Sequence, residues 1–98
     1  MTDWTLLRME LWQRCRGRCE FCGRDLFNSV NVHHRMLRSQ GGSDDPVNLV
    51  MVHPEHHRYA HENPEFSYRH GWMVHSWDDP ERVPVIRCSR MDSCIHQG

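Results

Sequence analysis

The apolar positions at the start of the chain repeat with the spacing of a helix. Those that recur every three or four residues are Trp4, Leu7, Leu11 and Cys15. Thr2 or Asp3 is placed to cap this helix, and Gly17 is placed to end it. We therefore predict a first helix whose apolar face packs onto the rest of the domain.

The next part of the chain changes to an extended pattern. Val30 and Val32 favour a strand over Leu26–His34. The composition of Arg38–Pro46, which is rich in Gly, Ser and Asp, predicts a loop, and Val47–Val52 predicts a second strand. Two strands joined by one loop are expected here.

A second helix is predicted directly after these strands. Pro54 suits the first turn of a helix, which should run to about the Asn63-Pro64 pair. Residues 64–69 can form another short helix, and Trp72–His75 and Val83–Ile86 have the composition of short strands. The predicted fold class is therefore α+β, with the core order strand, loop, strand, helix.

Length and composition limit how such a chain is stabilised. Ninety-eight residues make a single small domain, with a core at about 14–63 and an extension at about 64–98, and a domain of this size gains from a bound metal. No apolar segment of the chain predicts a secretion signal or a membrane span, so a cytoplasmic protein is expected. In a reducing compartment an odd number of cysteines favours thiolate metal ligands over disulfides. The five cysteines are Cys15, Cys19, Cys22, Cys88 and Cys94.

The charge of the chain is almost balanced, with a formal net charge of -1. Its distribution is uneven, because one stretch carries six arginines against only Glu20 and Asp25. The six are Arg14, Arg16, Arg18, Arg24, Arg35 and Arg38. This stretch predicts a basic patch able to neutralise phosphates, and the alternative is an ordinary solvated face.

The histidines carry the most specific chemical signal. Side chains alternate along a strand, so His33 and His34 point to opposite faces. A neutral imidazole is a suitable base near pH 7, and we assign His34 as general base and His33 as a metal ligand. His57 and His61 are four residues apart on the predicted helix and can share a metal with His33, leaving positions open for water and phosphate.

Two further ligand pairs predict a structural zinc site. Cys19 and Cys22 are followed by Gly23, which is the pattern of a zinc knuckle. His53 and His56 have matching spacing, and His56 can face the knuckle because adjacent helical residues point about 100° apart. The alternative is that His53 or His56 only caps the helix.

The remaining polar candidates have supporting roles. We expect the Asn48 amide to bond backbone on both sides of the loop and so fix the base, although an ordinary turn Asn is the alternative. Arg35 and Arg38 flank the base and are candidates for phosphate contacts, or else solvated loop residues. No ligand role is assigned to His70, His75 and His96.

With these residues in place, the chain resembles the HNH (ββα-metal) nucleases, especially the small ones encoded by phages of actinobacteria. The resemblance runs from about Arg14 to Ile86 and rests on the motifs RCEFCGRDL, VHHRMLRSQGGSDDPVNLV, HHRYAHENP and RHGWMV. The pattern HH, N, HxxxH is also similar to that of colicin-type nucleases. One departure is that relatives usually carry a second CxxC where this chain has His53 and His56.

The resemblance implies a small ββα-metal core with an N-terminal helix, a zinc knuckle and a short α/β C-terminal extension. It further implies hydrolysis of DNA to 5′-phosphate and 3′-OH ends with a divalent ion such as Mg²⁺, Mn²⁺, Ni²⁺ or Zn²⁺, beside a structural Zn²⁺. Phage members suggest terminase or other packaging proteins as partners, a part in genome maturation and a location in the host cytoplasm.

Three functions are compatible with these patterns. The leading one is a metal-dependent DNA endonuclease. The second is a non-catalytic zinc module that binds DNA or a packaging partner, and the third is a toxin-like nuclease with an immunity partner. The set His33, His34, Asn48, His57 and His61 favours the first, because a scaffold has no need for a base beside an open metal site.

Overall fold

The structure is a computed structural model, and it describes residues 2–88. Three helices and two strands follow one another in the order α1 (Trp4–Cys15), β1 (Asn31–His34), β2 (Leu49–Val52), α2 (Pro54–Glu62) and α3 (Pro64–Arg69). Two single 3₁₀ turns, Arg38–Gln40 and Pro46–Asn48, lie in the loop between the strands. The predicted α+β class and the ββα order of the core are confirmed.

Helix α1 begins and ends where the sequence predicts. Of the two candidate caps, Asp3 is the one used, because its carboxylate accepts hydrogen bonds from backbone amides of the first turn. The Thr2 hydroxyl instead donates to Asp44, 2.8 Å away in the interstrand loop. Arg16 and Gly17 both have positive φ, at 56° and 71°, and so turn the chain out of the helix.

The strands are shorter than predicted. β1 and β2 pair antiparallel over four residues each, with His33 opposite Val50 and His34 opposite Leu49. The predicted strand Leu26–His34 begins only at Asn31, because the preceding residues turn and Phe27 has a φ of 52°, which no strand residue adopts. The second strand begins at Leu49 rather than Val47 because a 3₁₀ turn occupies Pro46–Asn48.

The core surrounds β2, whose four residues are all buried. Helix α1 packs against this strand through Leu7 and Leu11. At the centre of the core the rings of Phe21 and Trp72 are stacked, with centroids 3.9 Å apart and planes almost parallel. The zinc-knuckle segment and the segment after α3 therefore meet in one core, although they are far apart in sequence.

The C-terminal segment does not form the strands that were predicted for Trp72–His75 and Val83–Ile86. No strand is present after β2 in the described residues. Single backbone bonds hold the segment instead, from the Val74 amide to the Arg35 carbonyl and from the Ile86 amide to the His70 carbonyl. Isolated backbone hydrogen bonds of this kind do not form the repeated ladder that defines a strand pair. The tail after Cys88, with Cys94 and His96, lies outside the described residues.

Arg35 has a structural position, which corrects its prediction as a phosphate contact. Its side chain is buried, with the residue only 3% exposed, and burial lowers the pKa of the guanidinium to about 10. Nε donates to the Gly71 carbonyl at 2.8 Å, and Nη1 donates to those of Val47 and Pro80 at 3.0 Å each. Nη2 donates to the Val83 carbonyl. These donors join the loop, the end of α3 and the C-terminal segment, so none of them faces an incoming phosphate.

Among the described residues no helix is both long enough and apolar enough to cross a membrane.

Candidate active site

Three histidines converge between β1 and α2. Each of His33, His57 and His61 offers one ring nitrogen, and these atoms lie within 4.8 Å of one another. The ring centroids are 4.9 Å apart for His33 and His57, 5.3 Å for His33 and His61, and 4.9 Å for the two helical histidines. The spacing of four residues places both helical rings on the side of α2 that faces β1. The structure thus brings together the three residues predicted as catalytic metal ligands.

His33 has one nitrogen occupied and the other free to bind an ion. Its Nε2 lies 2.8 Å from the Trp72 carbonyl, and because a carbonyl only accepts, Nε2 carries the hydrogen. Nδ1 therefore carries the lone pair, and it is buried without a hydrogen-bond partner among the described residues. Burial lowers the pKa of His33 to about 3, so the ring is neutral near pH 7. A buried, neutral, unpartnered imidazole nitrogen beside two more histidines fits a metal ligand.

Besides its contacts with the other two histidines, the His57 ring is held in place by Asn31. The side-chain amide nitrogen of Asn31 lies 3.0 Å from His57 Nδ1. Burial also lowers the pKa of His57, which keeps the ring neutral. Asn31 was not singled out from the sequence, although its position two residues before His33 places it on the same face of the strand.

His34 lies on the other face of β1 and contacts an acidic side chain. Its Nε2 is 2.7 Å from Asp44 Oδ1, and an ionised carboxylate only accepts hydrogen bonds. Nε2 therefore carries the hydrogen, and Nδ1 is left as the basic nitrogen. Arg38 Nε lies 3.3 Å from the same Nε2 but cannot donate to a nitrogen that already carries a proton.

Asp44 is itself fixed by two further donors. The Thr2 hydroxyl donates to Oδ2 at 2.8 Å, and Arg38 Nη2 donates to Oδ1 at 3.1 Å. Its hydrogen bond with His34 is the main reason that the pKa of Asp44 is lowered to about 2, so it is a carboxylate near pH 7. Asp44 was not predicted from the sequence, because only the path of the loop brings it back to His34.

Asn48 joins the interstrand loop to the end of β1. Its Oδ1 accepts from the Met36 amide at 2.7 Å, and its Nδ2 donates to the carbonyls of Met36 and Ser43 at 3.1 and 2.8 Å. The residue is 1% exposed, so these bonds are shielded from water. Asn48 therefore sets the shape of the loop that carries Asp44, and it makes no contact with the three metal-facing histidines in the described hydrogen bonds.

The second group of metal-binding side chains forms between the knuckle and α2. Cys19 Sγ lies 3.5 Å from His56 Nδ1, and Cys22 Sγ lies 3.5 Å from His53 Nδ1. Tetrahedral zinc, with bonds of about 2.3 Å to sulfur and about 2.0 Å to nitrogen, requires a sulfur to nitrogen distance of about 3.5 Å. These two distances match tetrahedral zinc, and the ligand atoms of all four side chains lie within 4.8 Å of one another.

Local contacts prepare this group for binding. His53 Nε2 lies 2.9 Å from the Asp25 carbonyl and donates to it, so Nδ1 carries the lone pair that a metal ion would need. His53 occupies the N-cap position of α2 but makes no side-chain capping bond, so the alternative in which it only caps the helix is wrong for His53. Burial raises the pKa of the Cys19 thiol to about 11, because a thiolate there lacks solvation unless a cation is beside it.

Of the other cysteines, the two among residues 2–88 do not join either group. Cys15 is the last residue of α1 and is buried, and its thiol lies 3.6 Å from the Trp12 carbonyl. Cys88 is disulfide-bonded. The expectation that every cysteine serves as a thiolate metal ligand is therefore wrong for Cys15 and Cys88, because a core hydrogen bond and a disulfide, respectively, account for them.

The predicted basic patch is divided by the fold. Arg14 makes two bonds to the Glu20 carboxylate, at 3.0 and 2.8 Å, and also donates to the carbonyls of Pro46 and Leu49. Arg35 is buried, as described above. Arg38 remains at the site, with a largely exposed side chain beside Asp44. The six arginines therefore do not form one free phosphate-binding surface.

The histidines without an assigned role stay apart from the two metal-binding groups where they are described. His70 stacks on Phe66 with centroids 4.0 Å apart, and its Nδ1 donates to the Phe66 carbonyl. His75 stacks on Tyr68 at 3.7 Å. Both rings are accounted for by packing.

Comparison with known proteins agrees with the arrangement of this site. Residues 19–63 match the family model described as HNH endonuclease. This range contains the knuckle, both strands and α2, and the match supports the HNH family and a nuclease-type activity, for which DNA is the implied substrate. No curated protein and no solved structure matches the chain.

Proposed function

We propose that this protein is a metal-dependent DNA endonuclease that hydrolyses phosphodiester bonds. The observation that carries the proposal is the state of His34, whose Nε2 is bonded to Asp44 so that Nδ1 is basic. Its neighbour His33 belongs to the three-histidine group. A base next to a metal-binding group is what hydrolysis of a phosphodiester requires.

The ligand set proposed for the catalytic ion is His33, His57 and His61, and the unpartnered buried Nδ1 of His33 supports it. When bound, a divalent ion supplies charge relief to the phosphate and to the leaving oxygen. Mg²⁺, Mn²⁺, Ni²⁺ and Zn²⁺ are the candidates. Zn²⁺ is proposed for Cys19, Cys22, His53 and His56.

In the proposed reaction His34 acts at a single atom. Nδ1 accepts a proton from a water molecule as the water oxygen bonds to phosphorus, and the bond from phosphorus to the 3′ oxygen breaks. The products are then a 5′-phosphate and a 3′-hydroxyl, whose proton comes from solvent. Asp44 keeps the hydrogen on Nε2 and stabilises the imidazolium that forms. Asn48 maintains the loop that presents Asp44.

Asp44→Ala should lower kcat for DNA cleavage about tenfold with little change in KM, a loss of about 1.4 kcal/mol in transition-state stabilisation. The reason is that His34 loses the acceptor that selects its tautomer and stabilises its charged form. Long-range ¹⁵N–¹H NMR of His34 should show that the hydrogen is no longer confined to Nε2. Asp45→Ala is the matched control, because Asp45 bonds Ser43 instead. Unchanged kcat in folded Asp44→Ala protein would exclude this role.

The test of the proposed function is cleavage of supercoiled plasmid. Protein is treated with a chelator mild enough to keep the fold, which circular dichroism checks, and is then given Mg²⁺, Mn²⁺, Ni²⁺ or Zn²⁺ separately. We expect nicked or linear DNA with at least one ion and intact plasmid without added ion. Folded protein that binds metal but cleaves with none of the four ions would instead favour a non-catalytic zinc module that binds DNA or a packaging partner.

Several finer assignments belong to the same proposal. The resemblance to small phage nucleases supports a phage origin, an action in genome packaging beside terminase and a location in the host cytoplasm. We also propose that residues 1–98 form one domain with its core at about 14–63. Purification with terminase subunits from infected cells, compared with a His34→Ala protein, tests the packaging role independently of cleavage.

A further inference from the structure

A cleft beside the candidate active site is not explained by the metal-binding groups. Its volume is about 540 Å³, and it lies between the first half of α1 and the edge of β1. Two side chains from α1, Trp4 and Arg8, line one side of it. Asn31, Arg38 and His57 are among the residues that line the rest.

The cleft is continuous with both parts of the candidate active site. At one side it reaches His57, one of the three metal-facing histidines. At the other side it reaches Trp4, whose ring contacts the His34 ring edge-on with centroids 6.2 Å apart. The cleft therefore adjoins the metal-facing histidines directly, through His57, and the candidate base indirectly, through Trp4.

The charge of the cleft matches a polyanion. Its charged lining residues are Arg8 and Arg38, and no acidic side chain lines it. Arg38 is partly committed, because it donates to Asp44 and its guanidinium carbon lies 5.6 Å from the centre of the Trp4 ring. The Arg8 side chain is exposed and makes no hydrogen bond or ion pair in the part of the chain that the structure describes. Its charge is thus available to a ligand.

We infer that this cleft binds the nucleotide next to the scissile phosphate, with Arg8 on its phosphate and the Trp4 ring against its sugar or base. The inference rests on the proposed function, and it names how that site holds its substrate. Arginine pairs with phosphate through two parallel donors, and an aromatic ring packs on any base without regard to sequence. Trp4 and Arg8 lie outside residues 19–63, so α1 adds a substrate contact to the part of the chain that the family model matches.

The salt dependence of DNA binding tests this inference. Binding of a fluorescent 20-base-pair duplex is measured over a range of NaCl concentrations at one fixed metal concentration, in a His34→Ala background that prevents cleavage. Arg8→Gln should bind more weakly and reduce the slope of log K against log salt by about 0.9, the contribution of one phosphate contact. Arg8→Lys should restore most of the slope because it keeps the charge.

Arg16→Gln is the matched control. It removes the same charge, but Arg16 is the residue that follows α1, eight residues further on and about 12 Å away along the helix axis. For Arg16→Gln, the slope of log K against log salt should equal that of the parent His34→Ala protein. An unchanged slope in Arg8→Gln, or an equal decrease in Arg16→Gln, would overturn the inference, the second because it would show only a general charge effect.

The two proposals fail in different ways. If wild-type protein cleaves plasmid but Arg8→Gln leaves the slope unchanged, the nuclease stands and this cleft is not its substrate site. If Arg8→Gln reduces the slope of log K against log salt and Arg16→Gln does not, but wild-type protein fails to cleave plasmid with any of the four ions, the cleft binds DNA and the proposed catalysis is wrong.

Discussion

Replacement of His34 by alanine is expected to lower the rate of DNA cleavage by about 10²- to 10⁴-fold, the usual contribution of a general base. No other side chain among residues 2–88 is placed to act as the base in its absence. The three metal-facing histidines form a separate group. The Asp44 carboxylate, with a pKa of about 2, is too weak a base to take a proton from water at neutral pH. Binding of the catalytic ion should persist, because His34 and His33 point to opposite faces of β1.

The measurement is single-turnover cleavage of plasmid, with metal binding followed by calorimetry on the same samples. His75→Ala is a suitable control, because His75 packs between Tyr68 and Trp77 and belongs to neither metal-binding group. Its rate should equal that of the wild type. Cleavage by His34→Ala at more than a tenth of the wild-type rate, with metal bound, would remove His34 from the role of base.

Loss of one ligand at the Cys-His group should unfold the protein at ordinary temperature. Structural zinc provides about 10–16 kcal/mol of binding free energy in small domains, whereas a domain of this size has a total stability of about 5–15 kcal/mol. Cys22→Ser removes a sulfur whose neighbour, His53, is also the N-cap residue of α2. We expect it to lose tightly held zinc and the cooperative thermal transition.

Cys15→Ser is the control for this experiment. Cys15 is also buried, but it lies at the end of α1 and its thiol donates to a backbone carbonyl, which a serine hydroxyl can also do. This variant should keep its zinc and a cooperative transition, at a modestly lower temperature. Zinc content by mass spectrometry and unfolding by circular dichroism distinguish the two. A folded Cys22→Ser protein with the wild-type zinc content would mean that zinc is held elsewhere.

The features that local sequence determines were predicted well. The spacing of His57 and His61 sets their common direction on α2, and the Cys19-Cys22 spacing with Gly23 sets the knuckle, because both depend on a single turn of backbone. The three helices follow from caps and prolines that act within a few residues.

Features that depend on distant segments were not predicted. Asp44 is ten residues from His34, and only closure of the loop brings them together. Arg35 stands in an arginine-rich stretch, and nothing local shows that four carbonyls from three segments surround it. The residues at 83–86 have strand composition, yet β1 and β2 pair only with each other among the described strands. A segment becomes a strand only when another strand lies beside it, and the fold of the whole chain decides whether one does.

Helix α2 contributes histidines to both groups of side chains that could hold a metal ion. His56 faces the knuckle, whereas the next residue, His57, faces His33. Because α2 is a single helix of nine residues, its two faces move together as one rigid body. Fixing α2 against the knuckle therefore reduces the entropy that the histidine group loses when it closes on an ion. Since linkage between two binding events is reciprocal, we expect each ion to increase the affinity for the other by the same factor, so that the two ions bind cooperatively.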